Sequence, residues 1–224
     1  MLHLPWLLSA AFILITLVTL LALFSAAGQS KKVLRVSGIW LLLQAAISLS
    51  GFYTVTDTLP PRFAIAVLPP LIFVAWLVTS PAGKLFTTKL SLQKLALLHT
   101  VRVPVELGLY FLSVHKVIPG LMTFEGSNFD IVAGLTAPLV YYFGFVKNKF
   151  PRKLILTWNF IGIGLLANIV IRALLSAPFP TQQFAFDQPN IAILYFPFVW
   201  LACFIVPVVL YAHLASIRKL WKRK

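Results

Sequence analysis

Seven long apolar runs follow one another along this chain, and the short gaps between them alternate in charge. Lys31, Lys32 and Arg35 occupy the first gap, Lys84, Lys89 and Lys94 the third, and Lys147, Lys149, Arg152 and Lys153 the fifth. Arg218, Lys219, Lys222, Arg223 and Lys224 close the chain, and no Asp or Glu lies within any of these clusters. Asp57, Glu125, Asp130 and Asp187 fall instead in or beside the alternate gaps. A soluble domain has no physical reason to sort its charges in this way. A chain threaded through a bilayer does, because loops rich in Lys and Arg stay cytoplasmic.

A helix needs about 20 mostly apolar residues to cross a hydrocarbon core ~30 Å thick. That places spans at 4–27, 36–56, 63–80, 95–114, 129–146, 154–175 and 191–213. With the basic gaps inside, an odd number of crossings puts the N-terminus outside and the C-terminus in the cytoplasm. Outer-membrane strands would alternate polar and apolar residues in segments of roughly 10, and these runs are apolar all round. The expected fold class is all-α: a polytopic, seven-transmembrane-helix bundle forming a single integral membrane domain over 1–224. Its expected location is the inner (plasma) membrane of a bacterial cell. Ser25-Ala26-Ala27 looks like a signal-peptidase site. However, no Lys or Arg precedes the first run, and the run exceeds the about 7–15 apolar residues of a secretory core. A retained helix is expected.

Composition narrows the partners. The chain is 60% hydrophobic and 11% charged, against about 45–50% and about 25% in ordinary globular domains, which leaves no polar stretch long enough for a soluble domain. The net charge of +14 would suit nucleic acid if the basic residues shared a face with polar and aromatic ones. They sit in short tracts beside membrane-length runs, so no nucleic acid is expected. The expected partner is the anionic headgroup layer of the cytoplasmic leaflet, at about 1 kcal/mol per basic residue near the surface. The sequence is compatible with a homo-oligomer. Cys203 is the only cysteine, so an intrachain disulfide and a CxxC pair are impossible. None of the four histidines has HxxxH or HExxH spacing, and neither a metal nor another cofactor is expected. Trp6, Trp40, Trp76, Trp158, Trp200 and Trp221 lie near predicted span ends, as in an aromatic belt.

Ionisable residues inside a bilayer are costly, about 2.5–3.5 kcal/mol each at a helix centre, and mark sites. The fourth run carries His99, Arg102 and Glu106 around Pro104. Counted from Lys94 at about 1.5 Å per residue, Arg102 lies roughly 12 Å and Glu106 roughly 18 Å into the membrane. Four residues apart, the two share a helical face and are expected to pair. Pro104 frees the carbonyl of Thr100. In the sixth run Asn159 and Asn168 are half a turn out of phase, and Arg172 is placed to reach the headgroups. Gly162 and Gly164 allow close helix contact. At the outer face, His115, Glu125, Asn128 and Asp130 form a polar cluster, in which Ser127 and Asp130 fit a capping box, with Asn128 as the alternative cap.

The leading functional expectation is a small solute transporter or channel-like protein, with substrate-binding candidates His99, Arg102, Glu106, Asn168 and Arg172. A membrane-embedded enzyme built on His115, Glu125 and Asp130 is the alternative. That class needs convergent ligands or a nucleophile–base pair, and neither pattern is present. A heptahelical sensor is the third reading; retinal chemistry is excluded because 191–213 holds no Lys for a Schiff base.

Overall fold

The first helix, α1 (Trp6–Ala26), carries no charge over 21 residues. At ~1.5 Å per residue its length matches a hydrocarbon core. Gly28 and Gln29, at φ 66° and 60°, turn the chain back into α2 (Lys31–Leu49). Lys31, Lys32 and Arg35 are therefore the opening turns of a helix rather than a loop. That helix stops at Leu49, short of the predicted 56, because Gly51 at φ 77° starts a 3-10 turn over Phe52–Thr54. In the computed structural model residues 4–222 are described, Lys222 by its backbone alone. His3, Arg223, Lys224 and the Lys222 side chain lie outside the described residues.

After α3 (Ala64–Thr79), Ser80 caps α4 (Pro81–Lys89): its Oγ accepts from the Gly83 N–H at 3.0 Å, with Pro81 at the first helical position. The two helices meet at 84°, so Lys84 and Lys89 ride on a short helix turned nearly at right angles to α3. Next, α5 (Leu92–Leu98), a 3-10 turn (His99–Val101) and α6 (Arg102–Val114) run on as one 23-residue segment. The tightened turn lies just ahead of Pro104, whose ring excludes the Thr100 carbonyl from the helical ladder. α7 (Asp130–Leu139) continues into a π-helical stretch (Val140–Val146). α8 (Arg152–Leu175) follows, and a second π-helical stretch (Leu201–Ile205) opens α9 (Val206–Lys222).

The protein is all-helical, with no strand among the described residues. Among the described residues, five helices are long and apolar enough to cross a membrane: Trp6–Ala26, Lys31–Leu49, Leu92–Val114, Arg152–Leu175 and Leu201–Trp221. A sixth is obtained if α3 and α4 count as one broken span, and Asp130–Val146 is apolar but shorter.

The last predicted span departs most from expectation. Its first ten residues, 191–200, hold a 3-10 turn (Ala192–Leu194) and are otherwise irregular up to the last turn before Leu201, and the helix then runs on to Lys222. Trp221 thus belongs to the end of α9, not to a separate tail helix. An apolar run suits a buried irregular segment as well as a helix, and Ile193, Leu194, Phe198 and Val199 are all buried. The outer connections behave alike. Val117, Ile118, Met122, Asn128, Ala177 and Phe179 are buried, so parts of both connections pack into the bundle while His115, Lys116 and Glu125 stay exposed. The Val117 carbonyl accepts from the N–H groups of Ile191 and Ala192 at 3.0 and 3.1 Å, pinning the two irregular segments together.

The core is apolar, yet large apolar side chains also cover the outside and several polar ones lie inside. Leu14, Leu42, Ile72 and Ile161 are exposed on α1, α2, α3 and α8, while Gln44, His99, Arg102, Glu106, Asn159 and His213 are buried. Exposed apolar surface on this scale requires an apolar surrounding. Two tryptophans expected at the belt point inward instead: Trp40 Nε1 donates to the Cys203 carbonyl at 2.9 Å and Trp200 Nε1 to the Leu41 carbonyl at 3.0 Å. A buried indole N–H needs an acceptor, and these bonds supply one while tying α2 to the start of the last helix. That last helix, α9, packs against α3, α4, α5 and α8.

Candidate functional site

Pro104 and the 3-10 turn present Arg102 at the start of α6, 2% exposed, facing the N-terminus of α7. Its partner is Asp130. Nε donates to Asp130 Oδ2 at 2.6 Å, and Nη2 donates to Asp130 Oδ1 and to the Gly162 carbonyl, the latter at 3.1 Å. The expected Arg102–Glu106 pair is therefore not formed. Asp130 meets the guanidinium fork with both oxygens from a neighbouring helix, the bidentate geometry that gives the stronger, more specific pairing.

Asp130 can reach this depth because α7 comes close to α6. A Cβ on Gly134 would meet the Val103 nitrogen at 2.9 Å and Arg102 Cβ at 3.2 Å. The N-cap position of α7 is Phe129, which gives no side-chain cap, so the Ser127–Asp130 capping box does not form; Asn128, one residue further out, accepts from the Asp130 N–H through Oδ1 at 3.0 Å. Its Nδ2 donates to Glu106 Oε1 at 2.6 Å and to the Met122 carbonyl at 3.0 Å. Asn128 thus bridges Glu106 to the backbone of Asp130.

On the other side, Arg102 Nη1 lies 3.0 Å from His213 Nε2. A guanidinium can only donate, so Nε2 accepts and the ring proton sits on Nδ1. Nδ1 in turn donates to Asn159 Oδ1 at 2.9 Å, and Asn159 Nδ2 donates to the Ile155 carbonyl at 2.8 Å. Every step of this chain has a donor facing an acceptor. Gly162 makes it sterically possible, because a Cβ there would collide with the His213 ring. Against His213 lies His99, stacked at 3.8 Å between ring centroids with Trp158 edge-on to it. His99 is fully buried, and neither of its ring nitrogens has a hydrogen-bond partner among the described residues.

A cavity of about 90 Å³ adjoins the network. Arg102, Glu106 and Asp130 contribute its polar wall; α3, α8 and α9 contribute apolar residues such as Leu71, Val170 and Val209. Glu106 Oε2 is buried there without a hydrogen-bond partner among the described residues.

The remaining candidates stand apart. Asn168 Nδ2 donates to the Ser127 carbonyl at 2.8 Å, and Arg172 Nε donates to Asn168 Oδ1 at 2.9 Å. Arg172 thus folds back along α8 instead of reaching outward. These two residues tether α8 to the loop that carries Asn128. His115 and Glu125 are exposed. The His115 ring bonds the Phe111 carbonyl, and Glu125 rims a surface depression with Tyr110, Ser113 and Thr123. Of the outer-face cluster, then, Asn128 and Asp130 join Arg102, and His115 and Glu125 do not. No group of three or more His, Cys, Asp or Glu side chains placed to hold a metal occurs among the described residues.

Sequence reasoning missed His213 and the full role of Asn159. A usable signal existed: His213 is an ionisable residue in a membrane-length run, and such residues are site candidates by default. His213 is the last residue of the expected span 191–213, on the inner side together with His99.

Residues 59–221 match a family described as a domain of unknown function, DUF8737. The chain belongs to this family. No curated protein and no solved structure matches it. The DUF8737 region starts after α2 and contains every residue of the network around Arg102.

Proposed function

We propose that this DUF8737 protein is a small solute transporter or channel-like protein of the bacterial inner membrane, with seven crossings, the N-terminus outside and the C-terminus cytoplasmic. The observation that supports a binding role is Glu106. Its Oε2 is buried and unpartnered at the wall of a cavity, and burying a polar oxygen without a partner costs about 1–3 kcal/mol. A purely structural carboxyl would gain nothing from this arrangement, whereas a bound solute would satisfy it. Arg102, fully engaged with Asp130 and His213, positions the site and leaves Glu106 as the free acceptor. Alternating charge supports the orientation. Lys31 and Lys32 stand at the N-terminus of α2, where the helix dipole disfavours cations, and a cytoplasmic headgroup layer offsets that cost. The outer-face enzyme reading gains no support from His115 and Glu125, which are exposed and do not converge with Asp130.

The test is flux through proteoliposomes holding the full chain and loaded with a mixed pool of labelled amino acids, organic acids, sugars and long-chain alcohols. Protein-dependent loss of at least one component, abolished by Glu106→Gln in protein that remains folded, is the expected result. Loss no faster than from protein-free liposomes would rule transport out. Reporter fusions after Lys32, Lys89 and Lys149 should score cytoplasmic, and an external score at either of the last two would overturn the orientation.

A further inference from the structure

Two of the helices that border the cavity are α3 and α8. The helix α3 packs on α4, α9 and the stretch Leu201–Ile205, and α8 packs on α7 and α9. Both contribute cavity wall, α3 through Val67 and Leu71 and α8 through Leu166, Val170 and Ala173. Just outside the cavity, Leu68 and Ile72 of α3 and Ile171 of α8 are exposed. α3 and α8 thus line the same cavity as Glu106 and also carry exposed apolar side chains on the surface that would meet lipid, and we read the space between them as a cleft leading to Glu106.

Water is a poor occupant. A buried water makes about 3 hydrogen bonds to polar neighbours, and apolar cavities stay dry. Among the described residues, Glu106 Oε2 is the one buried side-chain oxygen or nitrogen of the lining residues without a hydrogen-bond partner. A whole lipid is also excluded, since sites that enclose drug-sized ligands run about 300–1,000 Å³, against about 90 Å³ here. What fits is the polar end and first few carbons of an apolar molecule, with the rest lying in the cleft. The charge of that end is restricted as well. A carboxylate would face Asp130 and Glu106, and an ammonium would lose its hydration beside Arg102, each at a large desolvation cost. A hydroxyl both donates and accepts, so it can satisfy Oε2 whichever proton state Glu106 holds.

We propose that the cleft between α3 and α8 binds a membrane-dissolved, hydroxyl-terminated lipid chain, its hydroxyl hydrogen-bonded to Glu106 Oε2. This names the ligand class of the site proposed above and rests on that reading of Glu106. It is tested by binding, so it can stand or fall separately from transport.

The probe is a photoreactive decanol with a diazirine near its hydroxyl end, added to the full chain in detergent micelles and mapped by mass spectrometry. Cross-links are expected on Leu71, Val170 or Ala173, competed at least tenfold better by 1-decanol than by decane. Glu106→Leu should keep the cross-links and lose the preference for alcohol over alkane. Val170→Trp, which narrows the cleft without touching the polar network, should remove the cross-links, and this variant decides the matter if Glu106→Leu does not fold. Cross-links confined to lipid-facing positions such as Leu68 and Ile72 would overturn the proposal. So would equal competition by decane and 1-decanol, or cross-links at Leu71 that survive Val170→Trp. Cross-linking without any flux would leave this ligand class and remove transport; flux of a polar solute without cross-linking would do the reverse.

Discussion

Replacing Asp130 by Asn removes one negative charge and changes the shape of the side chain very little. In the wild type, Asp130 accepts two hydrogen bonds from a guanidinium that is 2% exposed. Breaking a buried ion pair from one side costs about 3–5 kcal/mol, because the remaining charge is left uncompensated. The Asn amide can still accept one bond through Oδ1, so the lower end of that range is expected. The same variant of Glu106, Glu106→Gln, should behave differently. Its bond from Asn128 survives, and the group converted to NH2 had no partner to lose, so a cost of about 1 kcal/mol is expected.

The protein supplies its own reporter for this comparison. Cys203 is the only cysteine and is fully buried, so a thiol-reactive fluorophore reports unfolding in detergent. In soluble domains of similar size about 1 kcal/mol moves Tm by 2–4 °C, so Asp130→Asn should lower Tm by roughly 10 °C and Glu106→Gln by a few degrees at most. The double variant Arg102→Met/Asp130→Leu should recover much of the loss, since apolar replacement of a buried pair is often neutral. Equal losses for Asp130→Asn and Glu106→Gln would refute the reasoning and return Glu106 to the role of partner to Arg102. An unchanged Tm for Asp130→Asn would show that the pair is reached by water.

Other consequences can be read on the same assay. Gly162→Ala should destabilise by about 1–3 kcal/mol, as overpacking does, because its Cβ meets the His213 ring; Gly164→Ala, with open space at its Cβ, should be neutral within about 0.5 kcal/mol. His213→Leu should cost about 2–3 kcal/mol by stranding Arg102 Nη1 and Asn159 Oδ1, and Asn159→Leu in the same chain should then cost less than it does alone, a coupling that vanishes if the two side chains do not touch. Arg172→Leu should cost under about 1 kcal/mol, the size of one part-buried hydrogen bond, and should leave decanol cross-linking unchanged; a loss of cross-linking would bring Arg172 back into the site.

Hydropathy and charge order were sufficient to identify an all-helical chain with helices long and apolar enough to cross a membrane, and to place most of them, because a run of about 20 apolar residues is a local property of sequence. They also singled out Arg102, Glu106 and the Pro104 break, since a charge or a proline in an apolar run is visible without knowing its neighbours. What lay beyond them was pairing. The i, i+4 spacing of Arg102 and Glu106 offered a partner on the same helix, and Asp130, far along the chain and assigned to an outer-face cluster, was the partner in fact. That choice depends on how close α7 comes to α6 at Gly134 and on which carboxylate meets the guanidinium edge-on, and neither is encoded in periodicity. The same limit hid His213, whose ring reaches Arg102 only because Gly162 leaves room for it. The irregular course of 191–200 was equally illegible, because a buried loop and a buried helix draw on the same apolar residues. Sequence thus determined which segments are long and apolar enough to form membrane-length helices; only the packing of α6, α7, α8 and α9 decided which buried polar atoms meet, because a buried group takes whatever partner the tertiary approach brings within hydrogen-bond range.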